Sequence, residues 1–153
     1  MNKEIERKFL LKNDSWRNLA KGTLYKQGYL TTHKDRTVRV RIIGNNAFLT
    51  IKGASMGPER LEFEYPLPIN DAELLISLCE KPIIEKERYR IKMQDITWEI
   101  DDFYGENKGL VIAEVELKSA DQLFIKPDWI GEEVTDDVRY FNANLVKNPF
   151  SKW

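Results

Sequence analysis

Glu4-Ile5-Glu6-Arg7-Lys8-Phe9-Leu10 puts two carboxylates and an ammonium at every second position. A strand sends alternate side chains to one face. Glu4, Glu6 and Lys8 therefore share one side, and Ile5, Arg7 and Phe9 share the other. Two readings fit this stretch. One is an amphipathic edge strand with solvated charges. The other is a site in which hard oxygen ligands hold Mg²⁺ or Mn²⁺ and a neighbouring cation holds an anion.

Outward from this segment the same period of two returns. Acidic pairs stand at Glu62/Glu64, Glu99/Asp101 and Glu114/Glu116; basic sets stand at Arg39/Arg41 and Lys86/Arg88/Arg90, with Lys52 single. The complementary positions are largely Val, Ile, Leu and aromatic. Gly44-Asn45-Asn46 reads as a hairpin turn, and Met93-Gln94-Asp95 reverses the chain again. Pro66-Leu67-Pro68 stops the strand that runs from Leu61 to Tyr65. Helical spacing predicts four short helices: Trp16 to Ala20, Asp71 to Glu80, Ser119 to Lys126 behind a capping box, and Asp137 to Val146. Residues 127–131 read as a loop.

One such strand is a solvated sheet face; many in succession require a sheet with one polar and one apolar side. An open sheet satisfies this if helices cover the apolar side and water wets the other. A closed barrel satisfies it if the charged faces line the interior and the apolar faces pack outward under helices. Like charges two residues apart repel, and burying them is costly without counterions. A lumen holding a divalent metal and a polyanion meets that need, because acids bind the metal and bases bind phosphate oxygens. A wet open face has no use for the separation of acidic strands from basic ones.

Composition narrows the function classes. A chain of 153 residues is most simply one domain, 1–153, and its 32% charged content fits a globular protein. The 24 basic residues against 25 acidic ones leave no global basic excess for nucleic acid. The four tryptophans are scattered, not clustered as a base-stacking platform is. The single cysteine, Cys79, excludes an internal disulfide and lies in an apolar helical pattern, which reads as packing. The start, Met1-Asn2-Lys3-Glu4, lacks the apolar core of a signal peptide, and no apolar run is long enough to span a bilayer. A cytoplasmic protein without membrane or nucleic-acid partners is the expectation.

The opening Glu4-Ile5-Glu6-Arg7-Lys8-Phe9 resembles the ExExK signature of the CYTH superfamily, the triphosphate tunnel metalloenzymes. The resemblance continues in the family's order through Gln27-Gly28-Tyr29-Leu30, Val38-Arg39-Val40-Arg41, Leu49-Thr50-Ile51-Lys52-Gly53, Glu62-Phe63-Glu64, Glu85-Lys86-Glu87-Arg88-Tyr89, Glu99-Ile100-Asp101 and Glu114-Val115-Glu116-Leu117. Gly131 to Thr135, with Arg139-Tyr140 and Asn142, looks like the C-terminal segment of the short bacterial members. A lone ExExK is a weak signal; the ordered set is a specific one.

The resemblance implies an α+β, mainly β fold: a closed antiparallel barrel of eight strands with helices packed outside. It implies hydrolysis of a small-molecule triphosphate with Mg²⁺ or Mn²⁺, most simply inorganic tripolyphosphate to pyrophosphate and phosphate. Adenylate cyclase, thiamine triphosphatase and a non-catalytic polyphosphate- or nucleotide-binding module are the alternatives. Glu4, Glu6, Glu114 and Glu116 look like the main metal carboxylates, with Asp101, Glu62 and Glu64 supporting them. Lys8, Arg39, Arg41, Lys52, Lys86, Arg88 and Arg139 look like the triphosphate clamp. Tyr29, with Lys52 as its partner, best matches the family's lysine–tyrosine dyad. Relatives occur as monomers or dimers, so the resemblance admits a homodimer.

Overall fold

The computed structural model describes residues 2–153; Met1, the first residue of the expected domain, lies outside the described residues. Nine strands dominate: β1 (Lys3–Leu11), β2 (Thr23–Thr31), β3 (Arg36–Ile43), β4 (Asn46–Gly53), β5 (Glu59–Leu67), β6 (Ile84–Met93), β7 (Ile96–Phe103), β8 (Val111–Glu116) and β9 (Ile130–Glu133). The α-helices are α1 (Ile69–Ile76) and α2 (Asn142–Lys147). The hydrogen-bonded order is β5-β4-β3-β2-β6-β7-β8-β1-β9, and β5 also pairs with β1. β1 to β8 therefore close on themselves as an antiparallel barrel of eight strands, with the β5–β1 seam paired only over Glu59 to Leu61. The ninth strand, β9, is an addition that pairs Glu133 with Phe9 and Ile130 with Leu11 of β1.

The alternation read from the sequence survives in three dimensions. Along β1, Glu4, Glu6 and Lys8 turn into the barrel, while Ile5 and Phe9 enter an outer core with Trp16, Trp98, Ile100, Val115 and Trp129. This aromatic cluster packs edge to face, with Phe9 and Trp98 centroids 5.6 Å apart and Trp98 and Trp129 centroids 5.9 Å apart. α1 covers the outside of β2, β3 and β4 through Ala72 and Ile76, with Cys79 of the turn that follows, against Val40 and Ala47. α2 sits differently. Its Leu145 and Val146 pack with Tyr29, Ile84, Phe103 and Ile112. These residues continue the inward-facing rows of β2, β6, β7 and β8, so α2 stoppers one end of the barrel instead of lying on its wall.

Four local readings change. The helix over Ser119–Lys126 does not form. The capping-type bond exists, since the Lys118 N–H donates to Gln122 Oε1 at 2.6 Å, but the chain makes only a turn before extending. Phe124 is drawn onto Phe9 and Trp98, Leu123 and Ile125 are left exposed, and Pro127 disfavours helix at Lys126. Residues 130–133, expected partly as loop, form β9. Pro66 does not stop β5, which runs to Leu67. Pro66 faces Phe48 of β4, and β1 meets β5 only at Glu59 to Leu61, so the missing N–H falls at a free edge. The last predicted helix is split into a 3-10 turn at Val138–Tyr140 and α2.

Candidate active site

The barrel encloses a cavity of about 610 Å³. Going round the circuit, the strands of the lumen divide into two arcs. β7, β8, β1 and β5 are neighbours and supply Glu99, Asp101, Glu114, Glu116, Glu4, Glu6, Glu62 and Glu64. β4, β3, β2 and β6 complete the ring and supply Lys52, Arg39, Arg41, Lys86, Arg88 and Arg90. Lys8 is the cation of the acidic arc, and Arg60, next to Glu4 in register, joins it.

In the acidic arc the register sets like charges directly opposite one another. Glu6 faces Glu116 across β1–β8, and Glu99 faces Glu114 across β7–β8. Such pairs are destabilising. Nearby cations absorb part of the charge. Lys8 Nζ donates to Glu114 Oε1 at 2.9 Å and lies 3.1 Å from Glu6. Lys52 Nζ donates to both Glu4 oxygens at 3.0 and 3.1 Å, and Arg60 Nε donates to Glu4 at 3.3 Å. Burial alone raises the Glu4 carboxyl, but Lys52 and Arg60 outweigh it and hold it at about 2. Burial and the Glu114 charge push Glu6 the other way, up to about 7. Glu116 is also raised, by burial and by Glu4 and Glu99. The arc thus carries more negative charge than its lysines neutralise, on hard oxygen donors. Among the described residues no three acidic, histidine or cysteine side chains are already grouped as a metal site. The carboxylates are turned onto lysine and arginine instead. The donor chemistry and the surplus charge fit Mg²⁺ or Mn²⁺.

The basic arc crowds guanidinium and ammonium groups into one wall of the lumen. Arg39, 7% exposed, donates through Nη2 to Thr50 Oγ1 at 3.1 Å, while its buried Nε has no partner among the described residues. Burial, Arg39 and Arg88 lower the Arg41 guanidinium to about 9. Arg88 Nε and Nη2 grip Asp101 at 2.7 and 2.8 Å. Lys86 Nζ donates to Asp101 at 2.7 Å and to Asn142 Oδ1 at 2.8 Å. Burial, with Arg88 and Arg41 close by, lowers Lys86 to about 7 even against the Asp101 charge.

Of the residues singled out in the sequence, Glu4, Glu6, Glu62, Glu64, Glu114, Glu116, Lys8, Arg39, Arg41, Lys52, Lys86, Arg88 and Tyr29 line this cavity. Two do not. Asp101 is 1% exposed and has both oxygens engaged by Arg88 and Lys86, so it sits behind these two side chains and does not line the cavity. Arg139 is exposed on the outside, paired with Asp137 at 2.7 Å and stacked over Trp153. Nor are Tyr29 and Lys52 brought together. Tyr29 faces Arg39, Arg39 faces Thr50, and Lys52 lies two residues further along β4 with its ammonium on Glu4.

Arg60, Gln27 and Asn142 were given no role in the sequence. Arg60 lies one residue before the expected start of its strand. Gln27 and Asn142 are neutral and gave no charge signal. Both stand inside quoted motifs, and Gln27 is on the lumen-facing period of Tyr25 and Tyr29.

A profile of the CYTH domain matches residues 2–148. The chain belongs to the CYTH family. Within that family the chain is 54% identical over 154 residues to an inorganic triphosphatase of Acetivibrio thermocellus, covering 100% of this chain and 99% of the relative. It is 41% identical over 147 residues to an inorganic triphosphatase of Nitrosomonas europaea, covering 94% and 96%. A crystal structure of an inorganic triphosphatase superposes on the CYTH barrel with a TM-score of 0.66 at 38% identity, covering 94% of this chain and 93% of that one. A protein of Pyrococcus furiosus shares the CYTH fold at 18% identity and a TM-score of 0.60, over 77% and 80% of the two chains.

Proposed function

We propose that this CYTH barrel is an inorganic triphosphatase that cleaves tripolyphosphate to pyrophosphate and phosphate with Mg²⁺ or Mn²⁺. The observation that carries this reading is the division of one lumen into an acidic and a basic arc. A linear triphosphate needs cations along its length and a counter-charged metal on one side of it. The inorganic triphosphatases matched along the whole chain support the same substrate. Adenylate cyclase, thiamine triphosphatase and a pure binding module draw no comparable support.

Arg39, Arg41, Lys86 and Arg88 would bind the phosphate oxygens, with Arg39 Nε free to donate. Lys8 would reach the anion from the acidic arc, and Lys52 from the edge of the basic arc, where its ammonium meets Glu4. Glu4, Glu6, Glu114 and Glu116 would hold the metal, with Glu62 and Glu64 close to it. When bound, the metal supplies charge neutralisation on the phosphate and acidifies a water. Water attacks the terminal phosphorus in line, the bridging P–O bond breaks, and pyrophosphate leaves carrying the electron pair. The water's proton would pass to a carboxylate of the acidic arc, on the side where the metal would be held, while Lys86, engaged by Asp101 and Asn142, serves the phosphate as a cation. Lys52 is held by Glu4 and Glu62, and Tyr29 serves as wall. Asp101 acts through Arg88 and Lys86, whose heads it aims. Arginines of the wall stabilise charge that spreads onto the transferred group.

The test is phosphate release from tripolyphosphate, ATP and thiamine triphosphate, each with Mg²⁺, with Mn²⁺ and with EDTA, for wild type and the double variant Glu4→Gln/Glu6→Gln. The expected result is metal-dependent turnover favouring tripolyphosphate and its loss in the double variant. Metal-independent turnover, or a preference for ATP with cyclic AMP formed, refutes the proposal.

A further inference from the structure

Two side-chain amides link the cations of the basic arc into one chain. Gln27, on β2, is fully buried. Its Oε1 accepts from Arg41 Nε at 2.9 Å, and its Nε2 donates to Asn142 Oδ1 at 3.1 Å. The same Asn142 oxygen accepts from Lys86 Nζ at 2.8 Å. Lys86 continues to Asp101, and Asp101 to Arg88. The run Arg41–Gln27–Asn142–Lys86–Asp101–Arg88 thus joins β3, β2, α2, β6 and β7. Its direction is forced. Arginine and lysine only donate, so the Gln27 oxygen must face Arg41 and the Asn142 oxygen must face Lys86, leaving the Gln27 amide N–H to bridge them.

The chemical type of these links matters. Most other cations of the lumen are held by carboxylates, Lys8 by Glu114, Lys52 by Glu4 and Arg90 by Glu99, while Arg39 donates to the Thr50 hydroxyl. A carboxylate fixes a cation and cancels its charge. An amide oxygen fixes it and leaves the charge for a ligand. Arg41 and the second bond of Lys86 are served by amides, at the middle of the basic arc. Asn142 is also the first residue of α2, whose Leu145 and Val146 stopper the barrel. The Asn142 link therefore ties the stopper to the anion cradle.

We infer that Gln27 and Asn142 are positioning residues of the triphosphate site, whose neutral amides aim Arg41 and Lys86 without neutralising them. This rests on the triphosphatase reading and says how its basic arc stays both ordered and charged. An acid at position 142 would keep the shape and both accepted hydrogen bonds and would answer Lys86 with a carboxylate; an acid at position 27 would keep the bond from Arg41 and answer that cation, but would lose the N–H that Asn142 accepts. Such a variant should hold the fold and lose the ligand.

The experiment uses the full chain with Gln27→Glu, Asn142→Asp and Asn142→Ala. Tripolyphosphate binding is measured by calorimetry in EDTA, hydrolysis with Mg²⁺, and thermal unfolding without ligand. In Gln27→Glu, Tm should be little changed, because the pair gained with Arg41 offsets the hydrogen bond lost to Asn142, while Kd and KM rise by roughly tenfold or more, the loss of one charge-assisted bond. Asn142→Asp should do the same through Lys86. Asn142→Ala should lower kcat/KM in protein that remains folded. A residue that served only the fold would show the opposite pattern, with Tm falling and Kd unmoved. Wild-type turnover with Kd and KM within about twofold in both acid variants overturns the amide inference and leaves the function reading standing. Wild type that neither binds nor cleaves tripolyphosphate overturns both.

Discussion

Asp101 is the strongest single test of how the basic arc is held. It is 1% exposed, and its carboxylate takes Arg88 Nε at 2.7 Å on Oδ1 and both Arg88 Nη2 at 2.8 Å and Lys86 Nζ at 2.7 Å on Oδ2. Asp101→Asn keeps the volume and removes the charge. The amide oxygen can occupy only one of the two positions, and the other then presents N–H groups to a guanidinium that has nothing to accept with. Breaking a buried pair from one side costs about 3–5 kcal/mol. At about 2–4 °C per kcal/mol for a chain of this size, Tm should fall by about 6–20 °C. Arg139→Ala, which removes an exposed pair with Asp137, is the control and should move Tm by less than about 2 °C.

Acid sharpens the test. Burial opposes the Asp101 charge, but Arg88 and Lys86 prevail and lower its carboxyl from 3.8 to about 2. A folded-state value below the unfolded one gives stability that is complete above 3.8 and is lost as pH falls through about 2. Roughly half of it is gone by about pH 3. Thermal unfolding at pH 7 and pH 3 should therefore show the gap between wild type and Asp101→Asn narrowing with acid. A gap below about 2 °C at pH 7, or one that does not narrow, refutes the account of Asp101 as the fixed counter-charge behind the clamp.

Two further outcomes follow from the geometry. Burial and Glu114 raise the Glu6 carboxyl from 4.5 to about 7, so its contribution is full below 4.5 and is lost as pH rises through about 7. In EDTA, Tm should drop between pH 5 and pH 8, Mg²⁺ should restore it at pH 8, and Glu6→Gln should flatten the EDTA curve; a flat wild-type curve counts against the surplus charge. Gly28→Ala would place a Cβ 2.7 Å from Cys79 Cβ and 2.9 Å from Ile83 Cδ1, and should cost about 1–3 kcal/mol by overpacking, read from denaturant midpoints. An unchanged midpoint would mean that the segment after α1 yields freely at this contact.

The eight strands of the barrel, their inward and outward faces and most of the charged residues of the lumen are legible in the amino-acid order alone, whereas β9 is not. The reason is local: a period of two assigns Glu4, Glu6 and Lys8 to one side whatever lies across from them, and the ordered motifs named the family. Which strands are neighbours is not legible there. The pairing of β2 with β6 and of β5 with β1 joins segments far apart in the chain, and only that order gathers the acids into one arc and the bases into the other. Sequence periodicity put Asp101 on the correct face, but depth along the barrel is set by register, and register buried it under Arg88. The same holds for Ser119–Lys126, where a valid cap lost to the burial of Phe124. Gln27 and Asn142 carry no charge and no period of their own. Their partners, Arg41 and Lys86, reach them from other strands, so their place in the site exists only once the barrel has closed and α2 has docked into its end.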